Sequence, residues 1–477
     1  MAHTSIYCGF AALCAVLVPA AVTAHAGVTI VPLVLEGDGV RGIGAVTGIE
    51  SIAVTDSGSW MIEIDTDFID TNQDGVILRD GSVAFREGQK LSVPVGATID
   101  SFDSVHLSPT GFTGWNLFLD NVPGNMDSGI FYEDQLLIQE SEFSTAAGFS
   151  RNTPYIGFFE VRMDSANRLF VVASVDDLTI PSSVDRALVR IDFVPATGEF
   201  SETLLAKEGD GLPGQTETVV DFGTGPENVA INDVGGMLYS ASLTGSTGTN
   251  AALYLNDTLI AQKGGESSIE GRTYMNIGTS TRLDVNDVGE TVFNVTLSGD
   301  TASDLALVRD GTVFVQEGDS PAATDGAVIS SFGTAPVRID NSGRVVWYAN
   351  LAGDTTTNAV IARDQDVVAR KGVTQVDGMT LTTIAGSTAT SGITKGFSIS
   401  PNGKHVIFRG ILNQTIEGAF LATFDDDASP DLNGDGNVDA EDLAILLGAW
   451  ETVGADLNGD GTTDAADLAI LLGAWTS

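Results

Sequence analysis

A sevenfold internal repeat limits what this chain can fold into more than any other feature. The segment Ile231-Asn232-Asp233-Val234-Gly235, followed by Leu238-Tyr239, returns as Val285-Asn286-Asp287-Val288-Gly289 with Val292-Phe293. A third copy reads Ile339-Asp340-Asn341-Ser342-Gly343 with Val346-Trp347. Weaker copies start at Thr55, Ser108, Asp164 and Ser400, each followed three residues later by Gly58, Gly111, Asn167 and Gly403. Starts at 55, 108, 164, 232, 286, 340 and 400 are spaced by 53, 56, 68, 54, 54 and 60 residues. A second series interleaves with the first: an alternating hairpin that closes on Glu-Gly or Lys-Gly. The run from Leu305 to Gly318, with a tight Asp310-Gly311 turn, is its clearest copy. Related copies close at Glu87-Gly88, Glu140, Glu208-Gly209, Lys263-Gly264 and Lys371-Gly372. The long 68-residue interval is assigned to a hairpin between Arg186 and Glu208 with an extended tip at Pro195 to Gly198.

Each repeat holds about four short strands, and one such sheet cannot bury both of its faces alone. Seven sheets packed radially bury each face against a neighbour, so the expected fold of residues 27–424 is an all-β, seven-bladed β-propeller-like body. A linear β-array is the rival, but its repeats are shorter. An isolated closing segment, Val34-Leu35-Glu36-Gly37-Asp38, follows the N-terminal leader, while the last repeat ends at Phe424 without a closing partner. These two ends complement one another, which predicts a ring clasped by strand exchange. The repeated Asn, Asp and Gly residues suit a turn in which the side chain caps the backbone and Gly takes positive φ. Tyr239, Phe293 and Trp347 fit sheet packing.

Charge and inventory narrow the function. The 477 residues carry 64 acidic and 22 basic side chains, a net charge of −42, which disfavours nucleic acid and anionic membrane surfaces as partners. Residues 1–26 read as a signal peptide: an apolar stretch from Ile6 to Val22 ends in Ala24-His25-Ala26. Both cysteines, Cys8 and Cys14, lie in that leader, so the mature chain has none and keeps only His106 and His405. Disulfides, thiolate metal sites and His clusters are excluded by inventory. Each remaining His reads as a strand residue. No later stretch approaches the roughly 18 apolar residues of a membrane span, so the expected product is exported, at the cell surface or outside the cell.

On these motifs the body resembles the tandem Asn-x-x-Gly-x-x-Ala-Phe repeat proteins, exported bacterial proteins that carry one of several alternative C-terminal anchoring modules. Here Val, Leu or Met stands in place of the Ala. The resemblance covers about residues 28–424 and implies export and display rather than a particular reaction.

An acidic linker, 425–430, leads to a duplicated tail, 431–477. Asp431, Asn433, Asp435, Asn437, Asp439 and Asp442 stand at loop positions 1, 3, 5, 7, 9 and 12, with Gly436 at position 6. Twenty-five residues on, Asp456, Asn458, Asp460, Thr462, Asp464 and Asp467 repeat the set. Hard oxygen donors at this spacing are what Ca²⁺ needs, position 7 contributing its backbone carbonyl, so two Ca²⁺ ions are expected. After each loop comes Leu-Ala-Ile-Leu-Leu-Gly-Ala-Trp. Leu443, Leu446, Leu447 and Trp450 share one predicted helix face, expected to be buried between the two units. The paired loop–helix tail resembles a type I dockerin, which implies a small α-helical calcium-binding domain and a cohesin-like or other surface protein as partner. At the places where dockerins contact cohesin, this chain has Ala440-Glu441, Ala465-Ala466, Gly448-Ala449 and Gly473-Ala474.

Asp70-Thr-Asn72-Gln-Asp74-Gly75 begins like a third calcium loop, but Leu78 and Gly81 stand at positions 9 and 12, which favours an ordinary turn. Two functions remain. The first is a non-enzymatic exported protein whose propeller displays a binding face, a glycan being one candidate ligand. The alternative is an extracellular carbohydrate-active enzyme on the same scaffold. It would need two carboxylates at a defined separation, and acidic residues are too plentiful here to single out a pair.

Overall fold

A computed structural model of the chain describes residues 22–23, 28–180, 185–225, 227–384, 396–424, 430–433, 437–452, 454–455, 457 and 462–476. The leader, apart from Val22–Thr23, and the linker, apart from Pro430, lie outside the described residues. Short alternating strands separated by Gly and Asp turns have built seven antiparallel sheets. Blade 1 runs from Gly44–Val54 out to Ser82–Arg86, and blade 2 from Thr98–Leu107 to Gln135–Gln139. Blade 3 runs from Tyr155–Met163 to Glu199–Lys207; its long hairpin joins Asp185–Val194 to Glu199–Lys207, as the 68-residue spacing predicts. The innermost strands of blades 4 to 7 end in Val229–Ile231, Leu283–Val285, Arg338–Ile339 and Phe397–Ile399. The body is a seven-bladed β-propeller.

The ring closes as the sequence predicts. Val28–Leu35 lies antiparallel to Ile416–Phe424, with Val28 opposite Phe424 and Leu35 opposite Gly418, and so supplies the outer strand of blade 7. Seven apolar clusters fill the seven gaps between neighbouring blades. The cluster that joins blade 7 to blade 1 sets Val34, Ile407 and Leu421 against Ile49, Ile62 and Ile64. Tyr239, Phe293 and Trp347 are all buried in such gaps, so they are packing residues. A flat sheet leaves one face wet, whereas a ring gives every face a neighbour, which is why these strands are apolar on both sides.

Residue 4 of the repeated turn is left-handed in all seven copies, from φ 60° at Asn167 to φ 90° at Gly235. An L side chain other than Asn or Asp would be strained there, which accounts for the glycine. His106 and His405 both sit on strands, Thr98–Leu107 and His405–Leu412. The segment at Asp70 is a turn: the Asn72 N–H donates to Asp70 Oδ1 at 3.2 Å. The tail contributes two nine-residue helices, α1 (Ala440–Gly448) and α2 (Ala465–Gly473). Among the described residues no helix is long and apolar enough to cross a membrane.

Candidate functional site

All seven innermost strands converge on one axial cavity of about 150 Å³. Its mouth is rimmed by the repeated turns, and their Asn and Asp residues do more than cap a turn. Position 1 bonds within its own turn: Asn232 Oδ1 accepts from Gly236 N–H at 2.6 Å and Asp340 Oδ1 from Arg344 N–H at 2.9 Å, while Thr55 Oγ1 donates to the Ser59 carbonyl at 3.2 Å. Position 2 reaches across to the preceding blade. Ser165 N–H donates to Asp233 Oδ1 (3.0 Å), Asp233 N–H to Asp287 Oδ1 (2.7 Å), and Asp287 N–H to Asn341 Oδ1 (3.0 Å). Asn402 N–H continues the belt to Asp56 Oδ1 at 2.7 Å.

Position 1 also ties blades together, by two chemical routes. Asn has a donor to spare, so Asn232 Nδ2 bonds the Asn286 carbonyl and Asn286 Nδ2 the Asp340 carbonyl, both at 2.9 Å. Asp has none, and where it occurs an Arg stands four residues on. Arg344 Nε donates to Asp340 Oδ2 (2.7 Å) while its Nη2 reaches the Asn402 carbonyl (3.1 Å). Arg168 joins Asp164 to the Asp233 carbonyl in the same way. Blade 2 has Pro109 at position 2, without an N–H or a polar side chain. There the seam to blade 3 is carried by Ser104 and His106, which accept from Val161 N–H and Met163 N–H, each at 3.0 Å. The sequence alone assigns the repeated Asn and Asp residues to turns. The pairing of Asp with a following Arg, and of Asn without one, was the available signal for a second role.

Deeper in the channel, charge is concentrated and paired. Arg338 donates to both oxygens of Glu227 at 2.7 and 2.9 Å, Arg162 is paired with Glu160, and Ser104 Oγ donates to Glu160 Oε1 at 2.8 Å. Asp284 accepts from Ile339 N–H at 2.9 Å, and burial pushes its carboxyl up to about 6 despite the nearby Arg338. Asp103, held by Asn116 Nδ2 at 2.8 Å, is also pushed up to about 6 by burial. Fixed donors and acceptors with guanidinium charges already matched make a wall suited to hydrogen-bonding a small polar solute. The described residues that line the cavity include His106 but no Phe, Tyr or Trp.

In the tail, Asp431, Asn433, Asn437, Asp439, Asp442, Thr462, Asp464 and Asp467 are described, whereas Asp435, Asp456, Asn458 and Asp460 lie outside the described residues. The two position-12 carboxylates are fully buried and fold back on the starts of their loops. Asp442 Oδ1 accepts from Leu432 and Asn433 N–H at 2.7 and 3.0 Å, and its Oδ2 from Asp439 N–H at 2.9 Å. Asp467 repeats this with Leu457 and Asp464 N–H, both at 2.6 Å. Asp439 and Asp464 are thereby the N-caps of α1 and α2, each closing a capping box with the Asp three residues on. That Asp-x-x-Asp spacing was readable in the sequence as a helix start. The backbone donors hold Asp442 below the usual carboxylate range, so it is ionised. An all-oxygen donor set that includes the ionised Asp442 fits a hard cation.

The predicted helix stripe needs correction. Leu446 and Leu471 are buried, but Leu447 is 53% and Trp450 38% exposed, as are Leu472 and Trp475 in the second unit at 52% and 41%. Val438 and Leu457, from the loops, take the core positions that the stripe assigned to a second helical row. They do so because the segment after each helix ties to the other unit's loop, Thr476 N–H to the Val438 carbonyl and Glu451 N–H to the Thr463 carbonyl, both at 2.9 Å.

A family of unknown function, DUF7453, matches residues 196–427, which include blades 4 to 6 and blade 7 apart from its N-terminal strand. No curated protein matches the chain. Among solved structures, the WD40 domain of SCAP from fission yeast aligns with a TM-score of 0.34 at 10% identity, covering 83% of this chain and 98% of that one. The polysaccharide lyase Uly1 aligns at 0.37 and 11% identity over 81% and 91% of the two chains. The GH93 α-L-arabinofuranosidase of Fusarium graminearum aligns at 0.28 and 9% over 83% and 98%.

Proposed function

We propose that the chain is an exported, calcium-binding display protein, in which a propeller presents a polar axial mouth and a dockerin-like tail fastens it to a partner protein. The observation that carries this reading is the duplicated tail surface. Ile445, Leu447 and Trp450, and 25 residues later Ile470, Leu472 and Trp475, remain 38–53% exposed although each is large and apolar. Uncovered apolar groups repeated by an internal pseudo-symmetry suit a protein partner, the cohesin-like or other surface protein implied by the resemblance. A glycan is a candidate ligand for the propeller's hydrogen-bonding mouth. Residues 1–26 serve as the export signal.

The first loop would hold one Ca²⁺ through Asp431, Asn433, Asp435, Asn437, Asp439 and Asp442. The second would use Asp456, Asn458, Asp460, Thr462, Asp464 and Asp467. When bound, the ion supplies positive charge to a segment, 425–477, that has 13 acidic residues and no Lys or Arg. The chain's own contribution is the pair of capping boxes, which hold a carboxylate inside each loop before an ion arrives. Calcium titration of the full chain, followed by amide exchange in α1 and α2, tests the reading. Asp442→Ala and Asp467→Ala should each remove one ion and speed exchange in both helices, which share one core. Exchange indifferent to chelator would refute it.

A further inference from the structure

Among the described residues one lysine is buried, and it lies in blade 3. Lys207, 8% exposed, ends the outer strand Glu199–Lys207. Ala187 stands opposite Lys207, and two residues before it comes Asp185, which stands opposite Val175. The side chains of Asp185 and Lys207 therefore leave the sheet on the same face. Asp177, two residues past Val175, meets them there. Lys207 Nζ lies 2.9 Å from Asp177 Oδ2, and Asp185 Oδ2 accepts from Asp177 N–H at 3.2 Å. Asp177 and Asp185 are 1% and 2% exposed. Their chain neighbours Val175, Ile180 and Ala187 belong to one buried apolar cluster, and the centre of the Phe149 ring is 5.8 Å from Nζ.

The arrangement holds more than an ion pair needs. Thr179 aims two donors at Asp177 Oδ1, its N–H and its Oγ–H, both at 2.8 Å, which is how charge that develops on a carboxyl oxygen is held during acyl transfer. The Gly148 carbonyl and Thr179 Oγ1 fix Nζ in place, at 3.0 and 2.8 Å. Asp185 Oδ1 is buried with no hydrogen-bond partner, so the carboxyl beside the pair has an oxygen to spare for a proton. Burial pushes Asp185 up, and the charges of Asp176 and Asp177 add to this, against the Asp177 N–H and the Lys207 ammonium. A carboxyl raised from its ordinary value suits proton transfer near neutral pH. A buried ion pair is also costly, and joining its two ends removes both charges.

We infer that Lys207 and Asp177 condense to a side-chain amide, with Asp185 as the proton carrier, so that a covalent staple ties the outer strand of blade 3 to its loop at Asp177. One ammonium proton passes to Asp177 Oδ2. The freed amine attacks the Asp177 carboxyl carbon, and negative charge gathers on Oδ1 against the Thr179 donors. Asp185 takes a second proton from the nitrogen and delivers it to Oδ2, which leaves as water when its bond to carbon breaks. Nζ keeps one hydrogen, and no oxidant, reductant or outside reagent takes part. The 2.9 Å contact is the arrangement before the bond forms. Holding amine and carboxyl in contact supplies the proximity that a free pair lacks. The inference rests on neither the tail nor the channel.

Peptide mapping of the full-length chain by mass spectrometry tests this. After tryptic digestion, the peptides that contain Asp177 and Lys207 should appear as one species, lighter by one water than the two together, and trypsin should not cut after Lys207. Lys207→Arg, which cannot form the amide, provides the unlinked standard. Asp185→Asn keeps an acceptor for the Asp177 N–H but cannot carry the proton, so its two peptides should separate at full mass while its far-UV spectrum matches that of the unaltered protein. If Asp185→Asn does not fold, the unaltered chain alone decides, because linked and unlinked peptides differ in mass whatever the variant does. Two separate peptides from the folded, unaltered chain overturn the inference and leave an ordinary ion pair. A link formed equally well in Asp185→Asn overturns the role given to Asp185.

Discussion

Both regions of this protein are built from tandem repeats, yet they treat their apolar residues in opposite ways. The body buries Trp115, Trp347, Phe293 and Phe420 completely, each between two blades. The tail core is Val438, Leu446, Ala455, Leu457 and Leu471, and both tail tryptophans remain partly in water. The difference lies in closure. A ring supplies each sheet with a neighbour on either side, so both faces of a strand can be apolar. Two nine-residue helices have one contact face each, and what lies off that face stays wet. The body can therefore be stable on burial alone, whereas the small tail core must offset the repulsion of 13 acidic residues in 425–477.

The sharpest way to break this comparison is to open the ring. Removing Val28–Leu35 withdraws the buried Val28, Ile30 and Val34 and bares the edge of Ile416–Phe424. At ~1.5–3 kcal/mol for each buried side chain, the loss should exceed ~5 kcal/mol. A urea midpoint close to that of the intact chain would mean that local blade packing, not closure, stabilises the body.

A smaller effect tests the belt. Arg344→Ala strips the fully buried Asp340 carboxylate of its Nε donor and cuts the tie to Asn402. It should cost ~2–3 kcal/mol. Adding Asp340→Asn recreates the chemistry of Asn232 and Asn286, and should recover more than half of that loss in a denaturation cycle. Without recovery, the Asn and Asp–Arg turns are not equivalent.

Acidity should separate the two regions. Glu87, Glu140 and Glu208 are pushed up to about 7, chiefly by burial, from an ordinary 4.5. The folded body therefore holds these protons more tightly than the unfolded chain does. That stabilisation is complete below pH 4.5 and is lost as the pH rises towards 7. In chelator, the body should lose on the order of 1–2 kcal/mol between pH 5 and 8, read from thermal melts. Asp442 works in the other direction: lowered by backbone donors from 3.8, it favours the folded tail above that value and ceases to do so as the pH falls through its folded pKa. A body that gains stability between pH 5 and 8 would contradict the assignment.

The smallest effect is expected on the rim. Val234 and Val288, at position 3 of the turn, are 68% and 72% exposed. Replacing either with Ser should change stability by less than ~0.5 kcal/mol. A larger loss would reveal that the channel mouth is covered in solution.

Much of this architecture was legible beforehand. Repeats 53 to 68 residues apart set the number of blades, the Gly at position 4 marked a left-handed turn, and the unpaired segments at Val34 and Phe424 announced the clasp. Less of the site was legible. Periodicity shows which residues share a face but not what covers that face, so Leu447 and Trp450 were placed in a core that Val438 and Leu457 fill instead. Nor does it show what stands across a blade gap, so the reach of Asp233 to Ser165 passed for turn chemistry.

By itself, then, the sequence determined the local and repetitive features: strand length, turn handedness, blade count, the need for closure and the oxygen-rich spacing of the tail loops. These depend on neighbours within a few residues, or on a pattern that recurs. Only the tertiary structure decided the belt around the channel, the pairing of Arg338 with Glu227 and the stranded oxygen of Asp185. Arg338 and Glu227 are 111 residues apart in the chain, and at such separations partners are chosen by the closed ring rather than by any local rule.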